Sequence, residues 1–247
     1  MKLYGKNPVL ERLKFNPRSI RRILVATGHP DAGYIRQKCQ KWGIAFVPAT
    51  LMQVQRLAQS HNAQGVVADV DDFAYADFFA LLPAAFEKKQ TLIFLDNLTD
   101  PQNLGSLIRS LGCLGDFMVI IPTHDSVGVT EAVLRVASGG DNYVAVARVS
   151  NLANAIGKAK DAGFWIIGAV AGDGEDLTQM RFQFPLGVVV GSEQKGIREI
   201  VLRRLDSKVT IPMAQPRMSL NVAQAATILS YEIIKQKKAN AAQRRNY

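Results

Sequence analysis

The sequence predicts an α/β protein in which a small N-terminal α/β domain precedes a larger C-terminal domain built on a parallel sheet. From residue 91 onward, continuous apolar runs alternate with helical segments, a pattern typical of a parallel sheet covered by helices on both faces. The first part of the chain holds a shorter α/β alternation, and an acidic stretch, part of which is predicted to be a helix, then shifts the composition sharply. We therefore predict an N-terminal domain over 1–72, a linker over 73–90 and the sheet domain over 91–238.

The N-terminal domain is predicted to contain three short strands and two helices. Gly43 is expected to end the first helix, because glycine at a helix end adopts the left-handed conformation that other residues avoid. The module is within the usual size range of a small domain. In chain order, the predicted elements are strand 20–27, helix 31–43, strand 44–49, helix 51–60 and strand 65–70.

The C-terminal domain is predicted to alternate strands with helices and to end in a long helix over 220–238. The predicted strands are 91–97, 117–122, 143–149, 164–170, 186–193 and 207–213. Polar residues follow the first, second, fifth and sixth of these strands. Ligands bind beyond the carboxyl ends of the strands in such sheets, so we expect the chemistry at these four places. The basic C-terminal segment, 239–247, is expected to fray.

Positive charge is concentrated at the two ends of the chain. The protein has a formal net charge of +9, and residues 1–68 hold 11 Lys and Arg against two acidic residues. A basic domain beside a nearly neutral one favours nucleic-acid binding over a basic surface that only keeps the protein soluble. Five side chains are candidate RNA phosphate contacts: Arg12, Lys14, Arg18, Arg21 and Arg22.

Several classes of protein are disfavoured by what the sequence lacks. The N-terminus has no apolar signal core, and no stretch approaches the roughly 20 apolar residues of a membrane span, so we expect a cytoplasmic protein with no membrane partner. Two separate cysteines and three scattered histidines form no metal-binding pattern, so no metal is expected. Glycine-rich nucleotide loops and the motifs of α/β-hydrolases and zinc proteases are absent as well.

The first strand of the C-terminal domain is followed by an amide and an arginine. Asp100 and Pro101 form a turn, and Asn103 lies near the start of the next helix, where its amide can cap the helix or bind a ligand. Arg109 follows among apolar and small neighbours. We expect it to recognise phosphate rather than to face solvent, because its planar guanidinium suits that group. The alternative is an ion pair with a nearby acid, Asp96 or Asp100.

Three motifs stand in order in the C-terminal domain: DPQNLGSLIRSLGCLG, VVVGSEQKGI and IPMAQPRMSLNVAQAATI. They resemble the motifs of the SpoU (TrmH-like) family of RNA ribose 2′-O-methyltransferases, in the SPOUT superfamily. The N-terminal LYGKNPVLERL and the α/β unit after it resemble the ribosomal-protein-like RNA-binding domain of bacterial 23S rRNA guanosine methyltransferases. The resemblance implies that the C-terminal part of the chain threads a loop as a deep trefoil knot, a rare feature. It also implies a homodimer with the active site near the dimer interface.

The same resemblance implies S-adenosylmethionine (AdoMet) as the cofactor. In this family AdoMet binds bent in the knot, largely through backbone groups, which explains the missing glycine-rich loop. Carried over by position, the cofactor contacts are Gly191, Ile211 and Leu220, while Met213 and residues 168–170 line the pocket.

The resemblance makes Arg109 the catalytic arginine. We expect it to fix a substrate phosphate and to stabilise the developing alkoxide, because arginine is normally protonated and is a poor base. Glu193 is expected to orient Asn103 or Arg109, the alternative being an acid favoured by a helix N-terminus. Ser219 and Asn221 stand before the last helix. One of these two residues should cap the helix, and the other should hold the reacting end of the substrate. We expect Asn221 to be the more catalytic of the two, the alternative being that the roles are exchanged.

Together these features predict AdoMet-dependent methylation of a ribose 2′-hydroxyl in RNA, with a guanosine of 23S rRNA as the first choice of substrate. A tRNA substrate ranks lower, because relatives that act on tRNA often lack such an N-terminal domain. The remaining alternative is a non-catalytic RNA-binding or ribosome-assembly factor with the same fold. The complete set of candidate catalytic residues argues against it.

Overall fold

Two sheets, each covered by helices, form the protein, and the predicted α/β class is confirmed. The computed structural model describes residues 1–192, 195–215 and 219–245, except for the side chains of 243–245. A four-stranded sheet comes first along the chain, and a seven-stranded sheet follows it.

The N-terminal domain contains four strands and three helices. They are β1 (Lys2–Tyr4), α1 (Lys6–Phe15), β2 (Ile20–Ala26), α2 (Ala32–Trp42), β3 (Ala45–Ala49), α3 (Leu51–Ala58) and β4 (Val66–Val70). The sheet order is β1-β4-β2-β3, with β4 antiparallel to both of its neighbours and β3 parallel to β2. Gly43 ends α2 at a φ of 67°, as predicted, and Thr50 with Gln53 forms a capping box at the start of α3. Helix α1 is not among the elements that the sequence predicts.

The C-terminal domain contains seven parallel strands and six helices among the described residues. They are α4 (Phe78–Glu87), β5 (Thr91–Asp96), α5 (Pro101–Leu114), β6 (Phe117–Pro122), α6 (Glu131–Ala137), β7 (Ala145–Val149), α7 (Leu152–Asp161), β8 (Trp165–Ala169), β9 (Glu175–Asp176), β10 (Leu186–Gly191), α8 (Glu199–Leu202), β11 (Ser207–Thr210) and α9 (Val222–Arg245). All six predicted strands are present, and the two-residue β9 is additional.

The order of the large sheet is β7-β6-β5-β10-β8-β11-β9, and every neighbouring pair is parallel. All residues of β5 and β6 are buried, which explains their continuous apolar sequences. Residues of α5, α6 and α9 pack in one hydrophobic cluster with the sheet, and residues of α4, α7 and α8 pack in another. The strand order reverses between β5 and β10, where ligand sites of such sheets lie.

Two segments differ from the sequence-based expectation. Within the predicted linker, Asp77 caps α4, and Phe78 is only 1% exposed against the large sheet, so this segment packs as part of the C-terminal domain. Helix α9 continues to Arg245 through the segment that was expected to fray. No helix in the described part of the chain has the length and apolar character needed to cross a membrane.

Candidate functional site

A cavity of about 270 Å³ lies beyond the carboxyl ends of β8, β10 and β11. Its walls come from segments far apart in sequence, because the carboxyl ends of parallel strands meet at one edge of the sheet. Most of the lining side chains are apolar or small. Five residues that the sequence assigns to the site line it: Gly191, Ile211, Met213, Ser219 and Leu220. Ala169 and Val170, from the predicted pocket segment at 168–170, line it as well.

Gly191 is required by a close approach of two backbone segments at the cavity wall. A Cβ atom at this position would lie 2.2 Å from the carbonyl carbon of Gly196 and 2.4 Å from the backbone nitrogen of Ile197. Ser192 and Gly196 exchange two backbone hydrogen bonds, of 3.2 and 2.8 Å, which close the loop between them. The cavity wall therefore presents backbone groups at a place where no side chain fits.

A buried ion pair holds this loop against the sheet. Asp96, at the end of β5, is fully buried, and its carboxylate accepts hydrogen bonds of 2.8 Å from the backbone N–H and the Nε of Arg198. A second guanidinium nitrogen of Arg198 lies 2.7 Å from the same carboxylate. The sequence places Asp96 at a polar strand end but does not identify Arg198 as its partner. The position of Asp96 directly after an apolar strand is the only sequence signal for this pair.

Two amides join α5 to the start of α9 beside the cavity. The Nδ2 of Asn221 donates a hydrogen bond of 2.7 Å to the Oδ1 of Asn103, a residue that is 6% exposed. The Oδ1 of Asn221 accepts a hydrogen bond of 2.8 Å from the N–H of Ala223, so Asn221 caps α9. Asp100, rather than Asn103, caps α5 by accepting a bond from Gln102. The cap therefore belongs to Asn221, and Ser219 is an exposed residue at the cavity.

Substitutions of these two residues should have different effects on stability. Asn221→Ala removes the cap and is expected to lower the free energy of unfolding by about 1–2 kcal/mol. Ser219→Ala is expected to change it by less than about 0.5 kcal/mol, because the residue is exposed. Urea unfolding measures both, and Asn221→Asp, which keeps the capping oxygen, serves as the control. Equal losses for the two alanine variants would contradict the assignment of the cap.

Arg109 does not lie where the sequence places it. It is exposed on α5, so the prediction that it avoids the solvated face is wrong. The predicted alternative partner Asp96 is occupied by Arg198, and Arg109 forms no ion pair with any described acid. Among the described residues, Arg109 is also not part of the cavity lining. It lines a separate groove between α5 and α1.

The remaining predicted residues have mixed outcomes. Glu193 lies outside the described residues. Arg12 is 6% exposed and forms a 2.6 Å ion pair with Asp141, so its prediction as an RNA contact is wrong. Helix α1 turns this side chain inward, on the same face as its buried apolar residues. The other four candidates are exposed: Lys14, Arg18, Arg21 and Arg22.

Intramolecular ion pairs occupy two of these four exposed cations. Arg21 pairs with Asp71 and Arg22 with Asp69. Lys14 and Arg18 have no acidic partner among the described residues, so their charges are available to an external anion.

Comparisons with known proteins agree with the division into an N-terminal and a C-terminal domain. Residues 90–231 match the model of the SpoU rRNA Methylase family, and residues 2–76 match a model described as RNA 2′-O ribose methyltransferase substrate binding. YacO of Bacillus subtilis, named for the TrmH family of tRNA/rRNA methyltransferases, is 36% identical over 237 residues, or 94% of each chain. A Staphylococcus aureus protein named for the same family is 38% identical over 233 residues, covering 87% of this chain and 93% of its own.

A solved structure shares the whole fold. The SpoU methyltransferase AviRb from Streptomyces viridochromogenes, in complex with AdoMet, superposes with a TM-score of 0.78 at 22% identity and covers 96% of this chain and 90% of its own. The two domains and their family matches define an RNA methyltransferase. More particularly, the chain belongs to the SpoU rRNA methylase family.

Proposed function

We propose that the protein transfers a methyl group from AdoMet to a ribose 2′-hydroxyl in RNA, with a guanosine of 23S rRNA as the substrate. One observation carries the proposal: residues assigned to AdoMet from separate motifs line a single cavity next to the Asn103–Asn221 pair. The match of residues 2–76 to a substrate-binding domain supports a structured RNA substrate. The AdoMet complex of AviRb, which has the same fold, supports the choice of cofactor.

The residues of the cavity fit AdoMet. Most of its lining is apolar, which suits an adenine ring, and the missing Cβ of Gly191 lets the backbone of Gly196 and Ile197 close the cavity wall. Ile211, Met213 and Leu220 would hold the cofactor. When bound, AdoMet supplies an electrophilic methyl group on a positively charged sulfur. The trefoil knot around this cavity stays a prediction.

The protein's own residues position the hydroxyl and the phosphate beside it. Positioning of the reacting groups can supply several kcal/mol of such a barrier. The side-chain amides of Asn103 and Asn221 are hydrogen-bonded to each other at the edge of the site, and Ser219 lines the cavity. Arg109 fixes the phosphate and stabilises the alkoxide as the hydroxyl proton passes to solvent, because arginine stays protonated in proteins and donates through a planar fork.

A homodimer explains how Arg109 reaches a cavity that it does not line in its own chain. A groove between α5 and α9 is lined by Ser106, Ser110, Leu220, Ala223, Gln224, Thr227 and Ile228. Apart from Gln224 these residues are small or apolar, and Ile228 is 40% exposed, which suits close packing against a second copy. Arg109 lies in the same helical turns as Ser106 and Ser110. We infer that a second copy seated there brings its Arg109 to the first copy's cavity.

Mixed dimers test this arrangement. Arg109→Ala and Ala225→Phe, which places a ring in the cavity, should each be inactive alone. Refolded together in equal amounts, they should recover about one quarter of wild-type turnover, since half of the dimers are mixed and each has one complete site. Each variant refolded alone is the control. No recovery, with mixed dimers shown by mass spectrometry, would contradict a shared site.

The substrate is tested by mapping 2′-O-methyl groups in the rRNA and tRNA of a deletion strain. Loss of one methylated guanosine in 23S rRNA is the expected result, and loss of a tRNA site would replace the substrate while keeping the reaction. Calorimetry of the purified protein with AdoMet tests the non-catalytic alternative. No AdoMet binding and no lost methyl group would overturn the proposed function.

A further inference from the structure

A second groove, of about 460 Å³, lies where the N-terminal domain meets the C-terminal domain. Helix α1 contributes Asn7 and Glu11 to it, and α5 contributes Arg109. The segment after α6 contributes Ser138 and Tyr143. Apart from Arg109, none of the residues that the resemblance assigns to the site lines this groove.

The walls of the groove are fixed by tight docking of α1. The Arg12–Asp141 pair joins the two domains at 2.6 Å, with side chains only 7% and 2% exposed. Gly139 has a φ of 94°, and a Cβ there would lie 2.6 Å from the Cβ of Glu11, so the two segments touch without space between them. The groove is therefore a built feature of the interface rather than a loose gap.

An aromatic pair continues the groove on the outer side. The rings of Phe15 and Tyr143, one from each domain, meet edge to face with their centroids 4.5 Å apart. They are 45% and 49% exposed, although large aromatic side chains are usually buried. The Nζ of Lys14 lies 4.8 Å from the centroid of the Phe15 ring. Such a surface, with exposed rings beside cations, is typical of sites that stack an unpaired base.

Two cations, Lys14 and Arg109, lie at this surface together with the carboxylate of Glu11. Lys14 and Arg109 have no acidic partner among the described residues. The carboxylate of Glu11 accepts a hydrogen bond of 2.5 Å from the Tyr143 hydroxyl. This bond raises the pKa of Tyr143 to about 12.

We propose that the groove between the domains binds an unpaired nucleotide of the RNA substrate near the methylated one, with its base on Phe15 and Tyr143 and its phosphate between Lys14 and Arg109. The inference rests on the proposed function, since it assumes an RNA substrate. It gives α1 a role in recognition through Phe15 and Lys14, while Arg12 only fixes the docking of the domains. Because Arg109 lines the groove, a nucleotide bound there lies next to the arginine proposed to act in catalysis.

Fluorescence anisotropy with the full-length protein tests the site, using a labelled single-stranded oligoadenylate and an RNA duplex of equal length. Phe15→Ala and Tyr143→Ala should each weaken binding of the single strand about 5- to 150-fold, because stacking on one aromatic ring contributes about 1–3 kcal/mol. Tyr143→Phe keeps the ring and should bind within about 2-fold of wild type. Phe79→Ala, which removes a 51% exposed ring on α4, is the matched control and should have no effect.

Four outcomes would contradict the proposed nucleotide site. Unchanged binding by Phe15→Ala, an equal loss in Phe79→Ala, equal losses for single strand and duplex, or no binding of the single strand by wild type would overturn the proposal. Melting temperatures and AdoMet calorimetry show that the variants are folded. If wild type methylates rRNA while the aromatic variants bind and react normally, only the groove proposal fails. If folded wild type transfers no methyl group to rRNA or tRNA, the proposed function fails.

Discussion

Arg198→Ala should lower the free energy of unfolding by about 2–3 kcal/mol, because it leaves a buried carboxylate without its charged partner. Asp96 is fully buried, whereas the Arg198 side chain is 42% exposed, so solvent screens part of the interaction. The backbone N–H at position 198 can still donate to Asp96, which also limits the loss. Urea unfolding of the variant and wild type measures the difference.

The same substitution should weaken AdoMet binding, which calorimetry measures. The Asp96–Arg198 bonds hold the end of the segment that carries Gly196 and Ile197 at the cavity wall. Arg203→Ala is the matched control. Arg203 pairs with Glu199 at the surface, with side chains 77% and 70% exposed, so its loss should cost less than about 0.5 kcal/mol. If Arg198→Ala were no more destabilising than Arg203→Ala, the Asp96–Arg198 pair would not stabilise the segment that carries Gly196 and Ile197.

The sequence predicts that residues following different strands lie in one site, because parallel strands place their carboxyl ends at the same edge of the sheet. Gly191 and Ile211 follow different strands, yet they line one cavity, as the strand pattern requires. Gly191 carries a further signal that only the structure explains, since the neighbouring backbone occupies the space of its Cβ. A single sequence shows a glycine there but not the segment that comes close to it.

The orientation of the two arginines could not be read from neighbouring residues alone. Arg109 has apolar neighbours in sequence, but on a helix those neighbours lie on other faces. The prediction of Arg12 as a surface charge follows from the absence of α1 among the predicted elements. With α1 in place, Arg12 shares the buried face of Val9 and Leu13, and Asp141, far away in sequence, neutralises it. Long-range pairs of this kind depend on how the domains dock.

The predicted linker contains a helix that packs with the C-terminal domain. Its acidic residues and Pro83 predict a domain junction near a partly helical segment. Pro83 lies inside α4, and the apolar residues Phe78 and Leu82 bury this helix against the large sheet. Composition reports average polarity, whereas the helical spacing of the apolar residues decides what packs.

Arg109→Ala is expected to reduce kcat by about 100- to 1,000-fold, the usual cost of removing one group that stabilises developing negative charge. AdoMet affinity should stay unchanged, because Arg109 is assigned to the substrate phosphate and not to the cofactor. Transfer of labelled methyl groups to rRNA measures the first effect and calorimetry the second. Arg203→Ala again serves as the control for loss of an exposed arginine.

Arg109→Lys separates charge from geometry. Lysine keeps the positive charge but lacks the planar fork that binds two phosphate oxygens, so we expect at least about a 10-fold loss of kcat. Full activity with an unchanged pH profile would show that guanidinium geometry does not matter. A loss of AdoMet affinity in either variant would show that Arg109 acts on the cofactor and would contradict its assignment to the substrate phosphate. Because the side chain is exposed in the single chain, a large kcat effect at constant AdoMet affinity points to a group that acts only when RNA and the second copy are in place.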